Sequence, residues 1–119
     1  MSQFMLLLYD NPADWQTISP EEMQKAIEKY MAWGEKLRAS GAMLAGEKLA
    51  DEPGKVMRGK AGQVRVTDGP YSEAKEVLGG YYIVQADNYD KAVEIARDCT
   101  QFEFGGTIEV REIDAMDQG

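Results

Sequence analysis

The chain has 119 residues, 21 acidic and 13 basic, and its net charge is −8 at pH 7. This charge repels a phosphate backbone and argues against DNA or RNA as a partner. The chain has no histidine and one cysteine, which argues against an imidazole-based triad, an internal disulfide and a typical zinc site. We predict no cofactor. Haem would lack a His ligand. Oxygen ligands for Mg²⁺ or Ca²⁺ are present, but the sequence has no EF-hand spacing.

The first half of the chain predicts a strand, a long helix and a second strand. Residues 4–9 are apolar at both odd and even positions, which predicts a strand covered on both faces. Ser19-Pro20-Glu21-Glu22 is typical of a helix start, and we expect a helix over about residues 20–39 and a strand over 42–49. The predicted buried stripe of the helix consists of Met23, Ile27, Tyr30, Gly34 and Leu37, flanked by Met31 and Trp33.

The second half predicts a hairpin, a strand, a helix and a last strand. Residues 55–58 and 63–67 can pair around Gly59-Lys60-Ala61-Gly62. Gly79-Gly80 opens a strand over 81–86 that is apolar on both faces, and the last strand covers 107–113. Asp87 or Asn88 can cap the second helix, whose predicted apolar face comprises Tyr89, Ala92, Val93, Ala96 and Cys99.

This order of elements predicts a single domain over residues 1–119, with an acidic, frayed tail at 114–119. The predicted fold class is α+β: a ferredoxin-like split βαβ repeat with an antiparallel sheet and an extra hairpin. Two central strands that are apolar on both faces require cover on the face without helices. We expect a second copy to supply it, giving a homodimer; the alternative is that the hairpin or the tail folds over that face.

The location expected from these features is the cytoplasm. The longest apolar run, residues 4–9, is far shorter than the roughly 20 residues of a spanning helix. The sequence also begins without the basic segment and small-residue cleavage site of a signal peptide. A lone cysteine fits a reducing compartment, and we expect Cys99 to be a buried, inert thiol.

Two motifs need separate interpretations. Residues 54–61 match most of a P-loop but end in Ala61, where Ser or Thr should bind Mg²⁺, and a strand follows instead of a helix. We therefore interpret these glycines as part of the hairpin.

Residues 68–76 concentrate charges directly before the strand that begins with two tyrosines. This segment is either a turn capped by Asp68 with a solvated half-helix, or the lip of a pocket where Asp68, Tyr71 and Lys75 hold a polar ligand.

Residues 68–81 resemble the signature of the DGPF proteins, a branch of the YCII-related family, which reads D-G-P-F-x-E-x-K-E-x-x-G-G-Y. The sequence keeps each lettered position except the aromatic one, where Tyr71 replaces Phe. Similarity extends to residues 4–9, the Ser-Pro-Glu-Glu helix start, Gly46-Glu47-x-Leu49 and Ile108-Glu109-Val110-Arg111. It therefore spans nearly the whole chain.

The resemblance implies a ferredoxin-like domain that pairs into a dimeric α/β barrel, and a functional link to a sigma factor. It implies no settled activity. Some YCII relatives have a proposed catalytic His on the first helix and an Asp in a later D-P motif. Those places hold Lys29-Tyr30 and Asp98-Cys99-Thr100 here, so that proposed pair does not transfer.

Three functions stay open. The first is binding of a small polar or aromatic molecule, without membrane or nucleic-acid partners, in a pocket edged by residues 68–76. The second is a metal-independent lyase, isomerase or dehydrochlorinase of the kind that the resemblance suggests, using a carboxylate with Lys or Tyr. The third is a purely structural motif in a stress-linked protein. The predicted binding residues are Tyr9, Glu47, Asp68, Tyr71, Lys75 and Glu76.

Overall fold

The computed structural model describes residues 1–15, 18–69 and 76–116. In chain order the elements are β1 (Ser2–Asp10), α1 (Pro20–Ala39), β2 (Met43–Lys48), β3 (Lys55–Lys60), β4 (Gln63–Asp68), β5 (Val77–Ala86), α2 (Tyr89–Ala96) and β6 (Thr107–Glu112). The main sheet has four antiparallel strands in the order β2-β5-β1-β6, and a separate hairpin pairs β3 with β4. Short 3-10 helices lie at Pro12–Trp15 and Thr100–Phe104. The predicted α+β class is confirmed, and the arrangement is compatible with a ferredoxin-like fold.

Both predicted helix starts are confirmed by their caps. The Glu22 amide donates to Ser19 Oγ at 3.1 Å, and Ser19 Oγ donates to the Glu22 carboxylate at 3.2 Å. At the second helix Asn88, rather than Asp87, is the cap, because its Oδ1 accepts from the Lys91 amide at 2.9 Å. Side-chain acceptors at these positions satisfy amides that have no partner within the helix.

The core lies between one face of the sheet and the two helices. Phe4, Leu6 and Leu8 alternate along β1 and are buried, and Val84 on β5 is buried beside them. Since alternate residues of a strand point to opposite faces, these side chains share the helix-covered face. The helices contribute the remaining buried apolar residues, which are Ala26, Trp33, Leu37, Ala92 and Ala96.

The prediction of which α1 side chains are buried is partly wrong. Trp33 was expected to flank the stripe, yet its side chain is only 6% exposed, whereas Ile27 is exposed. The ring of Trp33 meets Tyr82 of β5 edge to face, with centroids 5.2 Å apart. This large aromatic contact favours a rotation of the helix that buries Ala26 and Trp33 in place of Ile27.

Several predicted boundaries move. Strand β3 extends to Lys60 and β4 begins at Gln63, so the hairpin turn has two residues. Strand β5 begins at Val77 and therefore includes Gly79-Gly80. A Cβ at Gly80 would lie 2.9 Å from the Glu47 carbonyl oxygen, so the close approach of β2 to β5 requires glycine there. Cys99 follows α2 instead of lying on it, and the last strand ends one residue earlier than predicted.

The C-terminal end of the described chain is irregular, and the described helices are not of the membrane-spanning kind. Residues 113–116 have no regular secondary structure, and the rest of the predicted tail lies outside the described residues. Among the described helices, none combines the length and apolar character needed to cross a bilayer.

Candidate functional site

The face of the sheet opposite the helices, called the open face below, is apolar in its centre. In the strand register, Leu7 of β1 lies opposite Tyr81 of β5, and Met5 lies opposite Ile83. All four side chains are half-buried. They project away from Phe4, Leu6 and Leu8 because strand side chains alternate between faces. The sheet therefore presents a second apolar surface on the side that α1 and α2 do not occupy.

One end of the open face is polar. Tyr9 Oη donates to the Glu109 carboxylate at 3.1 Å, and Thr107 Oγ1 donates to the Glu76 carboxylate at 3.0 Å. Tyr9 and Thr107 are register partners across β1 and β6, which brings Tyr9 and Glu76 next to the same threonine. The geometry thus brings two of the predicted site residues together.

The Tyr9 hydroxyl is a hydrogen-bond donor at neutral pH. Burial raises its pKa above the ordinary value of 10.0, and the hydrogen bond to Glu109 raises it further because the carboxylate disfavours a phenolate. Register places Glu109 opposite Leu7 on the open face, and its pairing with Tyr9 agrees with this. Glu109 was not among the predicted site residues, although alternation along β6 puts it on the same face as Tyr9.

Glu47 lies on the open face farther across the sheet. It is the register partner of Tyr81 on the outer side of β5, and its side chain is exposed. The preceding Gly46 has a packing reason: a Cβ there would lie 2.6 Å from the Tyr82 ring. Glycine at this position lets Tyr82 pack beneath β2 on the helix-covered face.

The remaining predicted site residues lie elsewhere. Asp68 is the last residue of β4, where its exposed carboxylate accepts a hydrogen bond from Lys55. The described contacts do not join Asp68 to Tyr9, Glu47 or Glu76. Tyr71 and Lys75 lie outside the described residues, as does the rest of the stretch 70–75. The pocket lip predicted for residues 68–76 is therefore described at its two ends.

A buried polar network lies on the helix side of the same strand end. Gln101, 1% exposed, accepts from Tyr30 Oη at 2.6 Å and donates to the Tyr9 carbonyl at 2.7 Å and to the Asp10 carboxylate at 2.9 Å. Burial, and then the negative charge of Asp10, raise the pKa of Tyr30 well above its usual range. Tyr30 is therefore a fixed donor, and the network ties α1 to the end of β1 beside Tyr9.

Sequence reasoning missed Gln101. The nearest signal in the sequence is Gly105-Gly106, since glycine in or beside a strand is typical of a close backbone approach. A Cβ at Gly106 would lie 2.2 Å from Gln101 Nε2, so the buried amide fits only against glycine. Only the tertiary structure shows what approaches this glycine.

The positions that hold the proposed catalytic pair in some relatives have protein partners here. Lys29 pairs with Glu103 at 3.1 Å, and Asp98 accepts from Trp33 Nε1 at 3.0 Å and from Lys36 at 3.1 Å. The Trp33 hydrogen bond, followed by that from Lys36, lowers the pKa of Asp98. Lys29 and Asp98 therefore help to hold α1 against the segment that follows α2.

The cysteine and the acidic residues offer little further chemistry. Burial raises the pKa of the Cys99 thiol to about 11, so it is protonated at neutral pH, in agreement with an inert core thiol. Within residues 1–15, 18–69 and 76–116, no group of three or more Cys, Asp or Glu side chains is arranged to hold a metal ion.

A family model, the YCII-related domain, matches residues 2–117. The chain belongs to the YCII-related domain family. A family relative among curated proteins is an uncharacterized protein of Rhizobium meliloti (strain 1021), 28% identical over 112 residues that cover 92% of this chain and 90% of the relative.

Among solved structures, the chain resembles 5-chloro-2-hydroxyhydroquinone dehydrochlorinase from Burkholderia phenoliruptrix AC1100, in a complex with 2,5-dihydroxybenzoquinone. The TM-score is 0.50 at 15% identity, and the match covers 94% of this chain and 93% of that chain. At this identity the likeness shows a shared fold.

Proposed function

We infer that this YCII-related protein binds a small hydroxylated aromatic molecule on the open face of its sheet. The observation that supports this best is the Tyr9–Glu109 hydrogen bond at the end of a half-buried apolar surface. A flat apolar ring fits the surface of Met5, Leu7 and Ile83, and its hydroxyl groups meet polar side chains at one end. Such a combination of apolar walls and a few polar groups is typical of small-molecule sites.

The charge of the polar end favours a neutral ligand with donors. Glu47, Glu76 and Glu109 supply three carboxylate acceptors on the open face, Arg111 beside Met5 supplies one cation, and Tyr9 supplies a hydroxyl. A neutral phenol or hydroquinone can donate to these carboxylates, whereas an anion meets like charges on a chain of net charge −8. Asp68, Tyr71 and Lys75 remain our proposed lip of this pocket.

A second copy of the chain completes the pocket in this proposal. Pairing two open faces removes the apolar centre of each from water, which stabilises by roughly 25 cal/mol per Å² of apolar surface. The result is a homodimer in which two sheets enclose the ligand, as in a dimeric α/β barrel. Leu7→Glu puts a charge in the centre of this contact, and we expect sedimentation to show a shift from dimer to monomer.

The solved structural neighbour supports the ligand class. That protein is a dehydrochlorinase in a complex with 2,5-dihydroxybenzoquinone, so its fold accommodates a small oxygenated ring. The family relative of Rhizobium meliloti is uncharacterized and adds no ligand. The proposed sigma-factor link depends on the family resemblance. The proposed cytoplasmic location depends on the composition of the sequence.

The binding proposal is tested by calorimetric titration with hydroquinone. We expect Tyr9→Phe and Glu109→Gln each to weaken binding about tenfold, because each loses one charge-assisted or phenolic hydrogen bond. Glu35→Gln, which changes an exposed carboxylate paired with Arg38 on α1, is the matched control and should bind as the wild type does. Equal affinity in all four proteins would contradict the site.

A metal-independent lyase or dehydrochlorinase is the second candidate function. The Tyr9–Glu109 pair favours it, since the tyrosine stays protonated as an acid beside a carboxylate that can act as a base. Chloride release from a chlorinated hydroxyhydroquinone, lost in Glu109→Gln and kept in Glu35→Gln, would support turnover. Tight binding of that compound without chloride release would contradict turnover and support binding alone.

A further inference from the structure

The β3–β4 hairpin, residues 55–68 and called the arm below, has two chemically different faces. Register pairs Met57 with Val66 on one face, and Gly59 with Val64 on the same face. Arg58 pairs with Arg65 on the other face. Met57 is 68% exposed and Val66 57% exposed, so the apolar face lies in water within a single protomer.

The arm needs a partner to be stable. Its two strands pair with each other in a sheet of their own, and their contacts with the rest of the described chain are sparse. An isolated two-stranded hairpin is marginally stable in water, and exposed apolar surface on such a hairpin marks an interaction site. Both features indicate that the apolar face is covered when the protein is assembled.

Charge indicates what covers it. The arm has four basic residues and one acidic residue, for a net charge of +3, in a chain whose total is −8; the other residues therefore carry −11. Opposite charges favour contact between the arm and an acidic surface. A second copy of this chain is an acidic partner that is always present, whereas a nucleic acid meets the −11 of the body.

A complementary surface lies at the other edge of the sheet. A groove of about 400 Å³ lies between α2 and β6 and is lined by Val93, Ala96, Arg97, Phe102, Ile108 and Val110. Phe102 in this groove is 48% exposed. Arg97 is the one charged side chain among these lining residues, so the groove offers the arm an apolar surface, and the acidic character of the partner comes from its body as a whole.

The sheet topology allows the arm of one protomer to reach the groove of another. The arm follows β2 at one edge of the sheet, whereas the groove adjoins β6 at the opposite edge. When two sheets face each other across a two-fold axis parallel to their strands, the strand order is reversed between them. Each β2 edge then lies over the partner's β6 edge, and two arm–groove contacts close the assembly.

We propose that the arm is an exchange element, in which the Met57–Val66 face of one protomer docks in the β6 groove of a second copy. This rests on the facing-sheet dimer proposed above. The contact covers two apolar surfaces at once and brings the basic arm onto an acidic second copy. The face with Arg58 and Arg65 lies opposite the docked face and stays toward water.

Disulfide trapping in the full chain tests this arrangement. Val66→Cys and Val93→Cys are made in separate proteins, one with a longer tag, which are mixed to exchange subunits and oxidised mildly. We expect a mixed covalent dimer, about tenfold more abundant than with Arg65→Cys as the arm variant, since disulfides form only when the Cα atoms approach within about 7 Å. Arg65 is the matched control because it neighbours Val66 on the opposite face. Cys99 stays silent because it is buried and its pKa is raised to about 11.

The other outcomes overturn the proposal. Equal trapping with Val66→Cys and Arg65→Cys, or none with either Val64→Cys or Val66→Cys, excludes docking through the apolar face. An internal disulfide in the double variant Val66→Cys/Val93→Cys without mixed dimers means that the arm folds on its own chain. A nucleic-acid probe that binds the wild type and competes with trapping assigns the arm to that partner instead.

Hydroquinone titration of the wild type separates this inference from the ligand site. Failed trapping with normal, Tyr9-dependent binding overturns the arm contact alone. Successful trapping without hydroquinone binding overturns the ligand site alone. A wild type that sediments as a monomer overturns the arm contact and the two-copy pocket together.

Discussion

The two faces of β1 are equally apolar in sequence but differ in their surroundings. Phe4, Leu6 and Leu8 are buried beneath the helices, whereas Met5 and Leu7 are half-buried on the open face. The difference arises because α1 and α2 pack on the same side. A strand without a polar face thus indicates that two covers are needed, and a single protomer supplies one of them.

The polar groups of the two faces differ in the same way. On the helix side, Gln101 is inaccessible to water and its amide bonds Tyr9, Asp10 and Tyr30 within the chain. On the open face, Glu76 and Glu109 are accessible and each accepts one described hydrogen bond from a neighbouring hydroxyl. Groups that are accessible and hold spare acceptors can meet a ligand, and groups enclosed by protein partners stabilise the fold.

The largest expected effect comes from truncating one leucine on each face. Leu6→Ala leaves a cavity under the helices, and we expect the free energy of unfolding to fall by about 3 kcal/mol. Leu7→Ala should lower it by about 1 kcal/mol at low protein concentration, because that side chain is only half-buried in a protomer. Urea denaturation at several concentrations measures both. Equal costs at low concentration would contradict the contrast between the faces.

An intermediate effect is expected from the buried amide. Gln101→Leu removes the partner of the Tyr9 carbonyl and of the Tyr30 hydroxyl, and we expect a loss of about 2 kcal/mol in the free energy of unfolding. Gln24→Leu, on the exposed surface of α1, is the control and should change stability by less than about 0.5 kcal/mol. Thermal and urea unfolding compare the two. A Gln101→Leu protein as stable as the control would mean that the network contributes nothing.

The smallest expected effect lies on the outer surface of the helix layer. Hydrogen bonds from Trp33 and Lys36 lower the pKa of Asp98 below its ordinary value of 3.8, so they stabilise the ionised, folded form. This contribution is present above about pH 4 and is lost as the pH falls through the lowered value. For so exposed a group we expect about 0.5 kcal/mol or less.

Asp98→Asn tests this pH dependence. Its unfolding free energy should fall less steeply than that of the wild type between neutral pH and pH 3, as measured by urea denaturation. Asp114→Asn, an exposed carboxylate after β6, should keep the wild-type slope. Parallel curves for the wild type and Asp98→Asn would exclude a linkage through this residue.

Local patterns were enough to predict the elements of this fold. Ser19 and Glu22 mark the start of α1 because a side-chain cap acts within one turn, and alternation in residues 63–67 marks a strand because neighbouring side chains point to opposite faces. The doubly apolar strands 4–9 and 81–86 indicated the central positions in the sheet. Tyr9 and Glu76 were chosen for the site by their chemistry.

The sequence by itself determined which segments form helices and strands and where α1 and α2 begin, since these properties depend on neighbours within a few residues. Only the tertiary structure decided which groups meet over long separations: Trp33 with Tyr82, Gln101 with the end of β1, and Glu109 with Tyr9. These contacts depend on how α1 rotates and how β6 registers against β1. Packing of large side chains, rather than any local propensity, sets both.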